Sequence, residues 1–408
     1  MTHSEARHRS ISGMDVCMAL AALAGAVLLL FAATQSQAQT YSVLHTFSGP
    51  DGSIPFSGVT LDGAGRLYGT TYEGGEQGEG VVYRVSPSAG GWTETVLYNF
   101  GDGDCVGNMS RVLFGPDGIL YGTTPCGGAG GAGTVFSLSP PPSVCHAITC
   151  SWTKTVLYSF TGGSDGGWPQ GDLRFDAAGN IYGNATDGGI RNGGVVFKLT
   201  RSGSTWTESV LYSFTGTGDG CDPVGGVVFD SAGNIYGTTR GDSCRGTIYE
   251  LTPSQSGWTD TTLYTFTPQD LGYTTGLTID PHGNLFGFTG QQGGTGVAWE
   301  LSPVNGNWIY SRAYIFPQGY EGPWDVPTLD ARGNVYGTLC CAPGQAGAVI
   351  QLMPSGLRWN YTNLYEFTGG SDGGVSTGGV AFDSNGNLYG TTGGGGRGEN
   401  GVVWEITP

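Results

Sequence analysis

Leu67-Tyr68-Gly69-Thr70-Thr71 is the stretch that decides the fold, because it recurs along the chain. Its counterparts are Leu120-Tyr121-Gly122-Thr123-Thr124, Ile181-Tyr182-Gly183, Ile235-Tyr236-Gly237-Thr238-Thr239, Leu285-Phe286-Gly287, Val335-Tyr336-Gly337-Thr338 and Leu388-Tyr389-Gly390-Thr391-Thr392. The aromatic positions 68, 121, 182, 236, 286, 336 and 389 are separated by 53, 61, 54, 50, 50 and 53 residues. The long interval contains an insertion, residues 140–150, in one connection. Repeats of about 50 residues are typical of propeller blades, so the sequence predicts seven blades.

Each period contains four short runs with strand character, which we name a, b, c and d in chain order. In the third period they are residues 172–176, 180–183, 194–199 and 206–214. These runs are rich in β-branched and aromatic residues and are separated by Gly, Asp, Asn, Ser and Pro. Runs such as Val156-Leu157-Tyr158-Ser159-Phe160 are apolar on both parities, so neighbouring blades should cover both faces of each sheet. We expect an all-β fold, a seven-bladed β-propeller of four-stranded antiparallel blades.

The a–b turn has its own pattern, as in Asp230-Ser231-Ala232-Gly233-Asn234. The Asp opens a type I turn, and the Gly takes the left-handed position that completes the hairpin. Six of the seven copies keep the Asp, and Gly115 replaces it in the second. A calcium loop is the weaker alternative, because the Asp-x-Asp-x-Asp-Gly ligand spacing is absent. We predict no metal site and no other cofactor.

The two ends of the repeat region complete one another. Residues 41–47 have the pattern of a d strand, and residues 401–406 have the pattern of a c strand. The seventh blade should therefore take a, b and c from the C-terminus and d from the N-terminus. This arrangement closes the ring and removes its open edge.

Composition excludes several classes of protein. Glycine accounts for 77 of 408 residues, which argues against an all-α fold because glycine disfavours helix interiors. The formal net charge is −17, and a surface of this sign repels nucleic acid. Nucleic acid is therefore not an expected partner.

Residues 1–38 differ from the repeats and resemble a signal peptide. Arg7 and Arg9 precede an apolar run from Met18 to Ala33, and Ser36-Gln37-Ala38 offers a cleavage site. An uncleaved N-terminal anchor is the alternative. We expect export of residues 39–408 as the propeller, to an extracellular, periplasmic or cell-surface location, with no membrane span after cleavage.

The composite repeat resembles the GloVer-type tandem repeat family of exported bacterial proteins. The matching elements are Gly-x-Val-Phe-x-Leu-x-Pro, Trp-Thr-x-x-Val-Leu-Tyr-x-Phe, Asp-Gly-x-x-Pro and Gly-Asn-Leu-Tyr-Gly-Thr-Thr, which together span residues 41–408. Members of that family often carry a C-terminal sorting or anchoring segment after the repeats. This chain stops at Pro408, so the resemblance does not extend to surface attachment. The resemblance implies no activity and no catalytic residues.

Eight cysteines follow the predicted signal peptide, an even number typical of disulfides in exported proteins. In an up-and-down blade the d–a and b–c connections emerge at one end of the propeller, which we call the loop face. The a–b and c–d connections emerge at the other end, the turn face. This arrangement predicts the pairs Cys105–Cys126, Cys221–Cys244, Cys145–Cys150 and Cys340–Cys341. For the last pair, free thiols or an intermolecular bond are the alternatives.

The loop face is the candidate ligand site, since binding residues usually lie on loops held by a rigid scaffold. Our candidate ligand-binding residues are Trp168, Trp324, Asp165, Asp325, Tyr273 and Tyr320. Aromatic side chains on this face are suited to stacking on carbohydrate rings. The alternatives are that the aromatic side chains plug the central channel and that the Asp-Gly pairs form ordinary turns.

No catalytic residue is assigned. His45, His146 and His282 are expected to lie far apart, and the common hydrolase, metalloprotease and nucleotide-binding motifs are absent. We expect a monomeric, non-enzymatic binding or scaffolding module whose partner is a carbohydrate or another surface protein. Two alternatives stay open: a glycoside hydrolase or polysaccharide lyase using acidic residues of the loop face, and a purely structural surface protein.

Overall fold

The computed structural model describes residues 39–101, 103–104, 110–142, 151–241, 244–270, 273–290, 296–316, 322–340, 346–356, 358–376 and 378–408. These residues form seven antiparallel sheets arranged as a seven-bladed β-propeller. Strands a, b, c and d follow one another across each sheet, with strand a nearest the central axis. The all-β propeller predicted from the repeats is confirmed.

The strands are assigned to the blades as follows. Blade one contains β2 (Thr60–Leu61), β3 (Leu67–Thr70), β4 (Val81–Ser88) and β5 (Gly91–Asn99). Blade two contains β6 (Leu113–Phe114), β7 (Leu120–Thr124), β8 (Thr134–Ser139) and β9 (Thr153–Ser159). Blade three contains β10 (Gly167–Pro169), β11 (Arg174–Phe175), β12 (Ile181–Asp187), β13 (Val195–Ser202) and β14 (Thr205–Ser213). Blade four contains β15 (Pro223–Phe229), β16 (Ile235–Thr239), β17 (Thr247–Ser254) and β18 (Gly257–Thr265).

The remaining blades follow the same plan. Blade five contains β19 (Tyr273–Ile279), β20 (Leu285–Gly290), β21 (Val297–Val304) and β22 (Asn307–Ile315). Blade six contains β23 (Thr328–Leu329), β24 (Val335–Leu339), β25 (Ala348–Ser355) and β26 (Arg358–Glu366). Blade seven contains β27 (Ala381–Phe382), β28 (Leu388–Thr392), β29 (Val402–Thr407) and β1 (Thr40–Thr46). A short 3-10 helix, Pro268–Asp270, precedes β19, and none of the described helical segments is long and apolar enough to cross a membrane.

Blade seven is built from both ends of the chain. Its strand order is β1-β29-β28-β27, so the N-terminal strand is the outermost strand of the last blade. The Phe47 N–H donates to the Gly401 carbonyl at 3.1 Å, and the Phe47 side chain is fully buried. The Tyr41 ring stacks on Tyr365 of blade six, with ring centroids 3.8 Å apart. The predicted closure of the ring by the N-terminal strand is confirmed.

The a–b turns follow the predicted chemistry. In blade one the Gly65 N–H donates to the Asp62 carbonyl at 3.0 Å, and Gly65 has a φ of +73°. The Asp62 carboxylate accepts hydrogen bonds from the N–H groups of Ala64 and Arg66 and from the Tyr68 hydroxyl. The turn carboxylate thus fixes both the turn and the strand b aromatic residue.

Blade two fixes its turn with a different carboxylate. Gly115 stands in place of the Asp, and Asp117 two residues later accepts a hydrogen bond from the Tyr121 hydroxyl at 2.7 Å. The Ile119 N–H also donates to Asp117, at 3.2 Å. The tyrosine therefore keeps a carboxylate partner although the repeat position has changed.

The glycine after the strand b aromatic residue makes room for a large side chain, which comes from strand c in six blades and, at Gly337, from Phe288 of the neighbouring blade. A Cβ atom at Gly390 would lie 2.3 Å from the ring of Trp404, and one at Gly287 would lie 2.0 Å from the ring of Trp299. Both tryptophans are at most 1% exposed. Packing therefore requires glycine immediately after the strand b aromatic residue.

The loop face carries a disulfide. Cys221 precedes strand a of blade four and Cys244 follows strand b, and the two are bonded with Cα atoms 6.1 Å apart. Cys126 is also disulfide-bonded, and Cys340 is buried. Cys105, Cys145, Cys150 and Cys341 lie outside the described residues. Only the predicted pair Cys221–Cys244 is therefore present among the described residues, and the other three pairings stay predictions.

Candidate functional site

A cavity of about 340 Å³ opens on the loop face at the central axis. We call it the channel mouth. All seven blades contribute to its lining, through Phe56, Arg111, Asp172, Arg240, Tyr273, Trp324 and Gly379 in blade order. Because every blade supplies a different residue, the channel mouth is the least repetitive part of the propeller.

One repeat position allows neighbouring blades to approach one another closely at the central axis. It lies four residues before the first residue of the a–b turn. This position is Gly in four blades, namely Gly58, Gly226, Gly276 and Gly379. A Cβ atom at Gly58 would lie 2.5 Å from the Gly379 carbonyl oxygen of the neighbouring blade. The backbones therefore approach too closely for ordinary side chains at Gly58, Gly226 and Gly276, whereas the nearest heavy atom to a Cβ at Gly379 is 3.6 Å away. Blades two, three and six have Arg111, Asp172 and Val326 at this position, and all three line the channel mouth.

Arg111 and Asp172 form an ion pair between blades two and three. The Arg111 Nε donates to Asp172 Oδ2 at 2.9 Å, and Arg111 Nη2 contacts the same oxygen. The side chains are 22% and 15% exposed, so both charges are largely removed from water. The charge of Asp172 raises the pKa of Arg111 above its usual range. Each group therefore depends on the other for compensation.

Asp325 is the buried acid of the channel mouth, with only 5% of its surface exposed. Its Oδ2 accepts a hydrogen bond from the Thr338 N–H at 3.1 Å, whereas Oδ1 has no hydrogen-bond partner among the described residues. Burial raises the pKa of Asp325 well above its usual range, and the hydrogen bonds from Thr338 and the charge of Arg111 only partly oppose this. A carboxyl group with one oxygen unsatisfied is unusual in a protein interior.

Two large aromatic side chains accompany these charges. Trp324 is 41% exposed and Tyr273 is 44% exposed, and both line the channel mouth. Exposed aromatic surface beside hydrogen-bonding groups is typical of sites that hold small ligands. The structure thus brings together Trp324, Asp325 and Tyr273 of the six residues predicted from the sequence.

The other predicted site residues lie elsewhere. Trp168 is 40% exposed on β10 and does not line the channel mouth. Its φ of +53° recurs in the same loop of other blades, at Ile54, Asp222 and Val375, so this backbone conformation belongs to the repeat. Tyr320 lies outside the described residues.

Asp165 stabilises the loop between blades two and three. Its carboxylate accepts hydrogen bonds from the Thr161 N–H at 2.9 Å and the Tyr158 hydroxyl at 3.0 Å. Burial raises the pKa of Asp165, but the hydrogen bonds from Thr161 and Tyr158 outweigh burial and hold it below its usual value. Its contacts are those of a turn-forming residue.

The sequence analysis did not single out Arg111 and Asp172. The available signal was the aligned position at which four blades have glycine and two successive blades have opposite charges. A charged side chain at a position that is glycine in four of the seven blades indicates a local departure from the repeat. Asp325 shows the same signal, because Ser57 and Ser110 occupy the equivalent place in blades one and two.

Most acidic residues of the loop face lie farther out, where neighbouring blades meet. At these outer junctions a strand d tyrosine hydroxyl donates to the Asp of the following loop. The pairs are Tyr98–Asp104, Tyr158–Asp165, Tyr212–Asp219, Tyr264–Asp270 and Tyr365–Asp372. The acidity of this face therefore arises largely from residues that hold loops.

Three outer junctions carry a second acid from the next strand d, and at the ring-closing junction burial and the charge of Asp51 raise the pKa of Glu94 to about 7. Burial and the charge of Asp165 raise the pKa of Glu208 to about 7. Burial and the charge of Asp219 raise the pKa of Asp260 to about 7 as well. These junctions place two carboxyl groups side by side, and in each the second acid keeps its proton up to near-neutral pH.

A second, wider cavity of about 850 Å³ lies on the turn face. Its lining includes the turn residues Asp280 and Asp330, whose carboxylates already accept hydrogen bonds from the chain. Arg111 lines both cavities. The channel mouth, which holds the unsatisfied Asp325, is therefore the better candidate site.

Comparisons with solved structures return chains of low similarity. A putative 6-phosphogluconolactonase from Bacteroides uniformis is 13% identical with a TM-score of 0.48, over 80% of this chain and 88% of that chain. The polysaccharide lyase Uly1 is 13% identical with a TM-score of 0.48, over 93% and 95%. The endosialidase of phage phi92 is 11% identical with a TM-score of 0.45, over 90% and 68%. The search of curated protein sequences found no match.

The family comparison is more specific. A family model described as the Gloeobacter/Verrucomicrobia repeat matches residues 25–149 and 144–296, more than half of the chain. This agrees with the resemblance inferred from the repeated motifs. The chain belongs to the Gloeobacter/Verrucomicrobia repeat family.

Proposed function

We propose that this protein is an exported binding module that holds a polyhydroxylated ring, such as a sugar unit, in the channel mouth. One observation carries the proposal: exposed Trp324 and Tyr273 share a cavity with Asp325, whose Oδ1 lacks a partner. The cavity volume of about 340 Å³ lies at the lower end of the range of small-molecule sites, about 300–1,000 Å³.

The chemistry of these groups favours a hydroxyl-bearing ligand. A hydroxyl group both donates and accepts, so it can pair with Asp325 whether that carboxyl is protonated or ionised. The flat apolar faces of Trp324 and Tyr273 suit the C–H surface of a sugar ring. The Arg111–Asp172 pair adds fixed charges that orient further hydroxyl groups.

Export is supported by two features. Residues 1–38 have the charge, apolar run and small-residue pattern of a signal peptide. The Cys221–Cys244 disulfide is of the kind that persists in oxidising compartments. Detection of the mature chain beginning at Gln39 in the culture medium, periplasm or surface fraction would test export directly.

Binding is tested with the purified protein on a panel of immobilised glycans, followed by calorimetry with any sugar that binds. We expect Trp324→Ala to weaken binding at least about tenfold, because a stacked ring is lost. Trp168→Ala is the matched control, since it removes an equally exposed tryptophan of the same face outside the cavity. Equal loss in both variants, or no binding by the wild type, would contradict the proposed site.

A carbohydrate-active enzyme is the second candidate function. The observation that favours it is the presence in one cavity of two carboxyl groups in different surroundings, the buried Asp325 and the ion-paired Asp172. Such pairs divide acid and base roles in glycoside hydrolysis. Release of reducing or unsaturated ends from a polysaccharide, lost in Asp325→Asn, would establish this function in place of simple binding. A protein that neither binds nor cleaves any glycan would favour the purely structural role.

A further inference from the structure

The outer junction that closes the ring differs in composition from the other outer junctions. It joins His45 of β1, Asp51 of the loop that enters blade one, and Glu94 of β5. The His45 Nε2 lies 3.0 Å from Asp51 Oδ2, and one nitrogen or oxygen atom from each of the three residues lies within 4.8 Å of the others. The three groups belong to three separate elements of the chain. They come together because blade seven packs against blade one.

The first departure is His45 itself. The equivalent strand d residue is tyrosine in every other blade, at positions 98, 158, 212, 264, 314 and 365. A tyrosine hydroxyl donates a hydrogen bond to the loop Asp, whereas an imidazole nitrogen is also a common ligand of transition metals. This substitution gives the closing junction a nitrogen ligand.

The second feature is Glu94, an acid at a position that is also acidic in blades three and four, as Glu208 and Asp260. The equivalent residue is Lys154 at the next junction, where its ammonium group pairs with Asp104, and Tyr310 or Tyr41 at others, where the rings stack on tyrosines. Glu94 Oε1 is shielded from solvent and accepts no hydrogen bond from the described residues. A shielded carboxyl oxygen without a donor, facing a second carboxylate, is stabilised by a proton or by a cation, and only at this junction does an imidazole stand beside the two acids to complete a set of metal ligands.

The electrostatic surroundings allow a divalent ion. Asp51 and Glu94 supply two carboxylates that attract a divalent ion, and the positive charge of Arg84 on Glu94 offsets only part of this attraction. Zinc binds nitrogen and carboxylate ligands at about 2.0–2.2 Å in tetrahedral geometry, so ligand atoms on one ion lie about 3.3–3.6 Å apart. The present separations, within 4.8 Å, require the side chains to close by about 1 Å around the ion.

We propose that His45, Asp51 and Glu94 bind a divalent transition metal of the zinc class, with water completing the coordination. Mixed nitrogen and carboxylate ligands favour this class over calcium or magnesium, which prefer oxygen ligands alone. The ion would connect β1 to blade one and thereby strengthen the closure of the ring. This inference does not depend on the proposed sugar site.

The test uses tag-free, chelator-stripped protein titrated with zinc chloride in a calorimeter, with thermal unfolding in parallel. We expect one zinc ion per chain and a melting temperature at least about 2 °C higher at saturating zinc. His45→Tyr restores the residue of the other six blades and should fold normally, but should bind zinc about tenfold more weakly or not at all. Absence of zinc binding by the wild type, or unchanged binding by His45→Tyr, would overturn the proposal.

A gain-of-site variant makes the test sharper. Tyr158→His places an imidazole beside Asp165 and Glu208, the equivalent acids of the junction between blades two and three. We expect this variant to bind a second zinc ion. A folded Tyr158→His protein that still binds one ion would show that these three groups do not suffice, and would contradict the assignment. A response to calcium or magnesium but not zinc would contradict the role given to His45.

Discussion

The a–b turns and the channel mouth are built from the same seven repeats in opposite ways. The turns use nearly the same residues in every blade, an Asp carboxylate that fixes a left-handed Gly and a Tyr hydroxyl. The channel mouth takes a different side chain from each blade and includes Arg111, Asp172 and Asp325. The residues that recur are required by the blade, and the residues that depart from the repeat converge on one cavity.

The outer junctions lie between these two extremes. At most of them the tyrosine and the aspartate recur, but the third residue is an acid in three blades (Glu94, Glu208 and Asp260), Lys154 in one and a tyrosine in three (Tyr310, Tyr361 and Tyr41). Each variation changes the local charge and not the backbone. Departures from a repeat are thus a useful guide to where function is located in such proteins.

The largest expected effect concerns blade seven, which is built from both ends of the chain. Deleting residues 41–47 removes the outer strand of blade seven and exposes the β29 edge. We expect loss of the cooperative unfolding transition, or a melting temperature lower by more than about 10 °C, measured by circular dichroism. A synthetic peptide of residues 39–48 should restore part of the loss. An unchanged melting temperature would contradict closure by β1.

The second prediction separates the channel mouth from the turns. Arg111→Met leaves Asp172 largely buried without a partner and should lower the free energy of unfolding by about 2 to 4 kcal/mol. Arg111→Met combined with Asp172→Leu should recover most of that loss. The matched control is Arg66→Met, which removes the more exposed partner of Asp62 in a turn and should cost less than about 1 kcal/mol. Equal losses in urea unfolding of the two single variants would remove the distinction.

The third prediction compares two glycines of blade seven. Gly390→Ala places a Cβ atom 2.3 Å from the Trp404 ring and should destabilise by about 1 to 3 kcal/mol. Gly379→Ala has its nearest heavy atom at 3.6 Å, so it should cost less than about 0.5 kcal/mol. The measurement is urea unfolding of both variants. A tolerant Gly390 would mean that the repeated glycine is not held by packing.

The smallest effect is a pH dependence at an outer junction. The pKa of Glu208 is raised to about 7 in the folded protein, so its stabilising contribution is full below the ordinary glutamate pKa and is lost as the pH rises to about 7. Glu208→Gln should therefore leave the melting temperature unchanged at pH 4 and raise it by about 1 to 3 °C at pH 8. Exposed Glu76→Gln is the control and should change neither value. A stabilisation of equal size at both pH values would rule out this explanation.

The periodic part of the molecule was predictable from the sequence, and the cavity was less so. The Leu-Tyr-Gly copies, the turn glycines and the d-strand pattern of residues 41–47 predicted the blades and the closure of the ring. These patterns predict the fold because the backbone of every blade requires the same residue types at the same positions. The channel mouth brings together Arg111, Asp172 and Asp325 because the ring places blades two, three and six around one axis. Spacing along the chain does not encode that arrangement, although Trp324, Asp325 and Tyr273 were found through their loops.

The pairing of β1 with β29 also makes the order of synthesis matter. The two strands are separated by about 350 residues, so β1 leaves the ribosome long before its partner exists. At a synthesis rate of about 5–20 residues per second, that wait lasts about 20 to 70 s. During this time the apolar side chains of Tyr41 and Phe47 have no blade to enter. A chain truncated anywhere before β29 therefore keeps an unpaired first strand and stays accessible to proteases. Only a chain that includes β29 can complete the last blade and protect β1.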